Sequence, residues 1–247
     1  MRAPGVATAE AVTVAALETD PHPVLARLRA AAPVSWIPVL AAWLVTGYDE
    51  AVDVLRDARR FTVDDPRFST AKVVRPSMLS LDGAPHAHHR APFTRPFRSD
   101  EIHARFDPFI RAKADRLVCD LAPRGEAELR RTLAGPFAAA VMAEILGLGQ
   151  DDPAQILSWY DGIVAAVQAE AAVQAEAAAG ASGRARAAAA SAGTAASAGS
   201  AAFAEVAGHL REVITVGQGA SLLAQVTGPL TETEAISNAA VLLFGGI

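Results

Sequence analysis

Four side chains within SLDGAPHAHHRAPFTRPFRSDEI, residues 80–102, have the types and spacing for ligand chemistry. His86 and Arg90 stand four apart, and Phe93 and Phe97 repeat that step. On a helix, residues four apart project from one face about one turn apart. One stripe then offers two nitrogen-bearing side chains followed by two aromatic rings. That suits a flat, apolar molecule with an anionic edge. Arginine grips a carboxylate bidentately, and histidine adds a hydrogen bond that strengthens on protonation. Spacing alone favours a simpler reading, a solvated helix with a cationic face.

Other candidates for chemistry are weaker. His86, His88, His89 and His103 lack a carboxylate partner and a second ligand pair at zinc-site spacing. Gly217-Gln-Gly219 lacks the Gly, Lys and Thr that complete a phosphate loop. Cys119 is the sole cysteine and falls within the pattern of an apolar helix, so it reads as a packed, inert thiol.

Composition bounds what these residues can serve. The chain has 247 residues, 51% hydrophobic and 20% charged, with a net charge of -5. That length supports one substantial core or two small ones. A mild acidic balance argues against a nucleic-acid surface, which needs clustered Lys and Arg. No apolar run approaches the length of a membrane span, and the N-terminus lacks a basic segment followed by an apolar core. One cysteine excludes an internal disulfide framework and agrees with a reducing compartment. The expectation is a soluble, cytoplasmic protein with no nucleic-acid or membrane partner.

The elements that must position the stripe follow in order. Residues 1–19 lack a clear period and read as a loose N-terminal arm. Asp20-Pro21 opens a helix that Pro33 stops, with Leu25 and Leu28 on its apolar face. VSWI and AWLVT read as two strands around a proline-containing turn. Asp49 is placed to cap a helix with Ala51, Val52, Val54 and Leu55 inward. Residues 61–81 read as one long loop, of the length that usually carries function. Apolar helices follow over 99–121 and 132–148. The segment 165–202 is low-complexity, beginning with AAVQAE twice in succession, and reads as two helices with a loose link. Thr231-Glu-Thr-Glu234 is a capping box, with Leu230 before it as a hydrophobic staple. The last helix turns Ile236, Ala239, Ala240, Leu243 and Phe244 inward and reaches Gly245-Gly246-Ile247.

Asp82-x-x-x-His86-x-x-x-Arg90, with Phe97 seven residues on, resembles the C-helix signature of the bacterial, soluble cytochromes P450, the haem-thiolate monooxygenases. DPHPVLARLRAAAPV and WLVTGYDEAVDVLRD resemble that family's A-helix, first sheet and B-helix, in order and spacing. Phe244-Gly245-Gly246-Ile247 resembles the approach to its I-helix oxygen groove. The chain departs from the family at Gly83-Ala84-Pro85, where Pro-Pro-Glu is frequent, and at Ala91, where arginine is common. Pro92 and Pro96 predict a short or kinked helix.

The resemblance implies a mainly α cytochrome P450 fold, from helix A to the start of helix I, with a small β-sheet and residues 20–247 as a partial domain. It implies haem as cofactor, with His86 and Arg90 on the propionates, Phe97 near the porphyrin, and Met78 and Leu79 in the B–C loop facing the haem. Val73, Val74, Leu243 and Phe244 would line the substrate pocket. Gly245 and Gly246 would form the glycine step of the oxygen groove, and 165–202 would be the mobile lid. A small apolar substrate and a ferredoxin-type redox partner are implied as well. The acid and threonine after the glycine step and the proximal cysteine loop are not in this sequence. The expectation is therefore an N-terminal fragment of a monooxygenase, inactive by itself. The alternative is a non-catalytic helical remnant that binds an apolar ligand or protein partner without haem.

Overall fold

The computed structural model describes residues 9–149, 153–178, 184–216 and 221–247, the side chains of 175–198 excepted. The chain divides into two compact units, residues 1–62 with 170–192 and residues 63–169 with 193–247. Among the described residues, no helix is long and apolar enough to cross a membrane.

Local chemistry sets the first unit. Thr13 accepts a hydrogen bond from the Ala16 amide and caps α1 (Val14–Thr19). Asp20 accepts from the His22 amide and, with Pro21 in the first turn, opens α2 (Pro21–Ala31). β1 (Val34–Ile37) and β2 (Ala42–Val45) pair antiparallel, with Trp36 opposite Trp43. Their rings meet edge to face, centroids 5.7 Å apart. Ala9, Val12, Val24, Leu28 and Ile37 form a small core. Within residues 9–19 only Ala9 and Val12 are buried, while α1 has no buried residue.

α3 (Tyr48–Arg56) is capped at Gly47, not Asp49. Asp49 and Glu50 instead occupy the first turn, where the helix dipole favours negative charge. Ala51, Val52 and Val54 are half-buried, but Leu55 is 83% exposed, against the expectation that it faces inward. It lies on the side of α3 that no described residue covers.

In the second unit, 61–81 is not one loop: it contains α4 (Ser69–Val74), with Thr70 and Val74 buried. α5 (Gly83–Thr94) and α6 (Ser99–Leu121) follow. A π-helical turn (Arg130–Ala134) leads into α7 (Gly135–Leu146). α8 (Pro153–Ala178) and α9 (Arg184–Val216) are the two helices expected around the low-complexity segment. Their link at 179–183, with Gly180 and Gly183, lies outside the described residues. The second unit's share of α8 and α9 is joined by a bond from Trp159 Nε1 to Glu205 Oε2 at 2.9 Å. After α10 (Leu222–Val226), α11 (Glu232–Gly246) starts at a complete capping box. The Glu234 amide donates to Thr231 Oγ1, and the Thr231 amide donates back to Glu234 Oε2. Leu230 before it is buried, as a staple requires.

α7 and α11 centre this unit's core. Leu146, Ile156, Trp159, Val206, Leu210 and Ala239 are buried together, with Val74, Phe93 and Phe106 packed on the same cluster. α5 is therefore a helix seated on a core, with one face left over for other work.

Candidate functional site

The entry to α5 is built around Asp82. Its carboxylate makes no cap bond to α5 and instead accepts the Val63 amide at 2.6 Å, tying the start of this unit to the helix. Gly83 has φ +59°, a left-handed conformation that side chains resist and proline cannot adopt. That explains the departure from a Pro-Pro step. Helix α5 runs through Pro92 and ends at Thr94, a length of 12 residues, so the proline does not break it.

Burial divides the stripe. His89 and Phe93 are buried on the core side, His86 is half-buried, and Arg90 is exposed. Phe93 is thus a core residue and not part of a ligand face; four residues from His89, it shares the buried side. His86 and Arg90 side chains have no hydrogen-bond or ion-pair partner among the described residues. Phe97 lies past the end of α5 at 36% exposure. In the preceding loop Leu79 is 42% exposed and Met78 is half-buried.

A polar knot, absent from the sequence reading, fixes this helix to α11. Asn238 Oδ1 accepts the Met78 amide at 2.8 Å. Its Nδ2 then donates to the Glu234 carbonyl at 2.7 Å and faces His89 Nδ1 at 2.9 Å. With Asn238 donating, His89 Nδ1 is the accepting nitrogen and Nε2 carries the proton, 3.4 Å from Glu234 Oε1. His88 Nε2 lies 3.7 Å from the other carboxylate oxygen. Bonds from the Thr231 amide and hydroxyl hold the Glu234 carboxyl below the usual carboxylate range, and the nearby His89 and His88 act in the same direction. The available signal was an asparagine one residue before the apolar run of α11, since a buried amide must find partners.

Two consequences concern the other candidate residues. A Cβ on Gly246 would meet Met142 Sδ at 2.5 Å, so a side chain there requires the methionine to shift. A Cβ on Gly245 would meet nothing within 4 Å. A cavity of about 380 Å³ is walled by Val73 and Arg75, by Phe203 and Ala207 of α9, and by Ile236 and Ser237 of α11. Val74 and Leu243 do not reach it. Both are buried in the core cluster. Phe244 is half-buried against Tyr160, ring centroids 5.6 Å apart.

The residues present fit a haem at this face. Arg90 and His86 are polar and unpartnered, so they suit anionic propionates. Leu79 and Phe97 leave apolar surface exposed near them in sequence, and Gly245 leaves open space on α11. Cys119 lies on α6 and is exposed, not packed as its place in the helical pattern suggests. Among the described residues, no group of three His, Cys, Asp or Glu side chains is placed to hold a metal ion.

Comparison with known proteins gives one kind of relative. No family model matches the chain. It is 32% identical over 156 residues to the cytochrome P450 monooxygenase PikC of Streptomyces venezuelae, covering 59% of this chain and 37% of that protein. It is 29% identical over 153 residues to the vitamin D(3) 25-hydroxylase of Pseudonocardia autotrophica, with 59% and 38% covered. The chain thus spans under two-fifths of the length of these curated relatives. Among solved structures, P450BioI in complex with an acyl carrier protein ligated to hexadec-9Z-enoic acid superposes with a TM-score of 0.72. That match has 22% identity and covers 95% of this chain and 59% of that one. A Bacillus megaterium cytochrome P450 in complex with testosterone gives a TM-score of 0.73 at 22% identity, covering 92% and 56%.

Proposed function

We propose, from the premise that the chain belongs to the cytochrome P450 family, that it is the N-terminal portion of a haem-dependent monooxygenase. The reaction would hydroxylate a small organic substrate, using dioxygen and electrons from a ferredoxin-type redox partner. The observation that carries this reading is the pair His86 and Arg90. They are unpartnered on a helix that Asn238 and His89 lock to α11, the helix bearing Gly245.

Each residue then has a stated role. Arg90 and His86 would hold the haem propionates, the guanidinium by charge pairing and the imidazole by a hydrogen bond. Met78, Leu79 and Phe97 offer apolar contact to the porphyrin, while Gly245 keeps the helix surface clear on the oxygen side. Val73 and Phe244 contribute apolar wall to the substrate. Bound haem would supply the iron chemistry that activates dioxygen.

Two measurements test the reading. The coding region past residue 247 should encode an acid and a threonine, then Glu-x-x-Arg and a cysteine loop. The protein it encodes, reduced under carbon monoxide, should show the strongly red-shifted Soret band of a thiolate-ligated haem. A continuation without those elements, or a haem spectrum lacking that band, sinks the reading.

A further inference from the structure

We infer that the cavity between α4, α9 and α11 takes an amphipathic anion, a carboxylate carried on an apolar body, held at the head by Arg75 and Ser237. The inference rests on the monooxygenase reading only in calling this molecule a substrate; the binding itself does not depend on haem.

Ser237 carries the argument. It is 1% exposed and lines the cavity, and its hydroxyl has no hydrogen-bond partner among the described residues. A buried hydroxyl left unpaired is costly, so it is retained where something else supplies the partner. Arg75 supplies charge beside it. Its φ of +69° lies in the left-handed region, a strained conformation for a side-chain-bearing residue. Such strain recurs where a backbone is committed to a ligand. Arg75 has no ion pair among the described residues, whereas Arg211, at the same cavity, is engaged by Glu232 at 2.7 Å. Lys72 adds a second positive charge to the lining, and no Asp or Glu is among the residues that form it.

The rest of the wall is apolar. Val73, Phe203, Ala207 and Ile236 present hydrocarbon, so a small inorganic anion would leave most of the space unused. The volume falls within the range of small-molecule sites, about 300–1,000 Å³. Cationic head and apolar wall together specify a carboxylate on an aliphatic or aromatic body. A neutral hydrocarbon would leave the Ser237 hydroxyl unpaired.

Isothermal titration calorimetry of the 247-residue chain with octanoate, and with 1-octanol as the neutral counterpart, tests this. A hydrogen bond to a charged group is worth about 1.5–3 kcal/mol, so octanoate should bind at least roughly tenfold tighter than octanol. Arg75→Gln and Ser237→Ala should each remove most of that preference, and Arg75→Gln should leave octanol binding unchanged. Ser237→Ala should not lower the urea midpoint, because the hydroxyl has no protein partner to lose. A merely structural serine would shift stability and not the carboxylate preference. Equal affinity for the two probes, or a preference that survives both substitutions, overturns the inference. The monooxygenase reading is judged separately by the carbon monoxide spectrum, so each can fail without the other.

Discussion

His89 and Asn238 lie 149 residues apart in the chain, yet their side-chain nitrogens are 2.9 Å apart in the fold. The same asparagine holds the Met78 amide, so one side chain joins α5, α11 and the loop between α4 and α5. Those three segments carry the unpartnered donors, the open glycine and the exposed Leu79. Orienting them with a buried amide sets their spacing more sharply than apolar packing does, since hydrogen bonds fix direction as well as distance.

Asn238→Ala should therefore loosen the whole junction. It leaves the Met78 amide and His89 Nδ1 without partners, at about 1–3 kcal/mol for each buried group left unpaired. Hydrogen exchange at the Met78 amide should accelerate, and the urea midpoint should fall. Asn238→Asp should restore protection at Met78, because a carboxylate still accepts, but not stability. It cannot donate to His89 or to the Glu234 carbonyl. Unchanged Met78 exchange in Asn238→Ala would remove the knot from this account.

Glu234 should give the chain an acid-sensitive contribution to stability. Its folded-state titration lies below the usual carboxylate range, chiefly through the Thr231 amide and hydroxyl. A group depressed on folding contributes fully above its unfolded value and loses that contribution as pH falls through the folded one. Urea midpoints across the acid range should show the loss, and Glu234→Gln should flatten it. Glutamine still completes a capping box, so its effect near neutrality should be small. A Glu234→Gln profile parallel to the parent would place the acid sensitivity elsewhere.

The two terminal glycines should respond oppositely. Gly246→Ala pushes a methyl into Met142 and should cost about 1–3 kcal/mol as overpacking. The combined Gly246→Ala, Met142→Ala protein should recover part of that. Gly245→Ala meets nothing and should stay within about 0.5 kcal/mol of the parent in the absence of haem. Chemical denaturation of the four proteins decides it.

Cys119 should react fully with a thiol reagent in native buffer, because it is exposed. Cys119→Ser should leave the urea midpoint within about 0.5 kcal/mol, as for most surface changes. Labelling that needs denaturant would contradict the structure.

What the sequence made legible was local. Asp20-Pro21 and the Thr231–Glu234 box are read from neighbours in the chain, and their hydrogen bonds form as the spacing demands. Order and spacing of the segments also carried the fold, since the matched structures cover over nine-tenths of the chain. What was not legible depends on partners far away. Leu55 and Cys119 fit apolar periodicities yet are exposed, because periodicity names a face without saying whether anything covers it. Val74 and Leu243, which the resemblance places at a substrate pocket, are buried in the core cluster, a degree of burial that residue type alone does not specify. His89 was one histidine among several until Asn238 gave it a partner.

Arg90→Ala should weaken haem retention in the haem-loaded protein more than His86→Ala does. The guanidinium is charged at any working pH and pairs bidentately, a bond worth about 1.5–3 kcal/mol, against about 0.5–1.5 for a neutral imidazole donor. Arg90 is exposed, and solvent screening discounts the gain towards the lower end. The remaining difference is about 1 kcal/mol, roughly fivefold in affinity. His86, half-buried, has less freedom to leave its position, so its loss should act on the fit of the ring more than on charge. Transfer of haem to an apo-globin acceptor, timed for each variant, separates the two. Added salt should narrow the gap if charge pairing is its source. If His86→Ala loses haem faster at every ionic strength, Arg90 points to solvent and His86 alone holds the propionates.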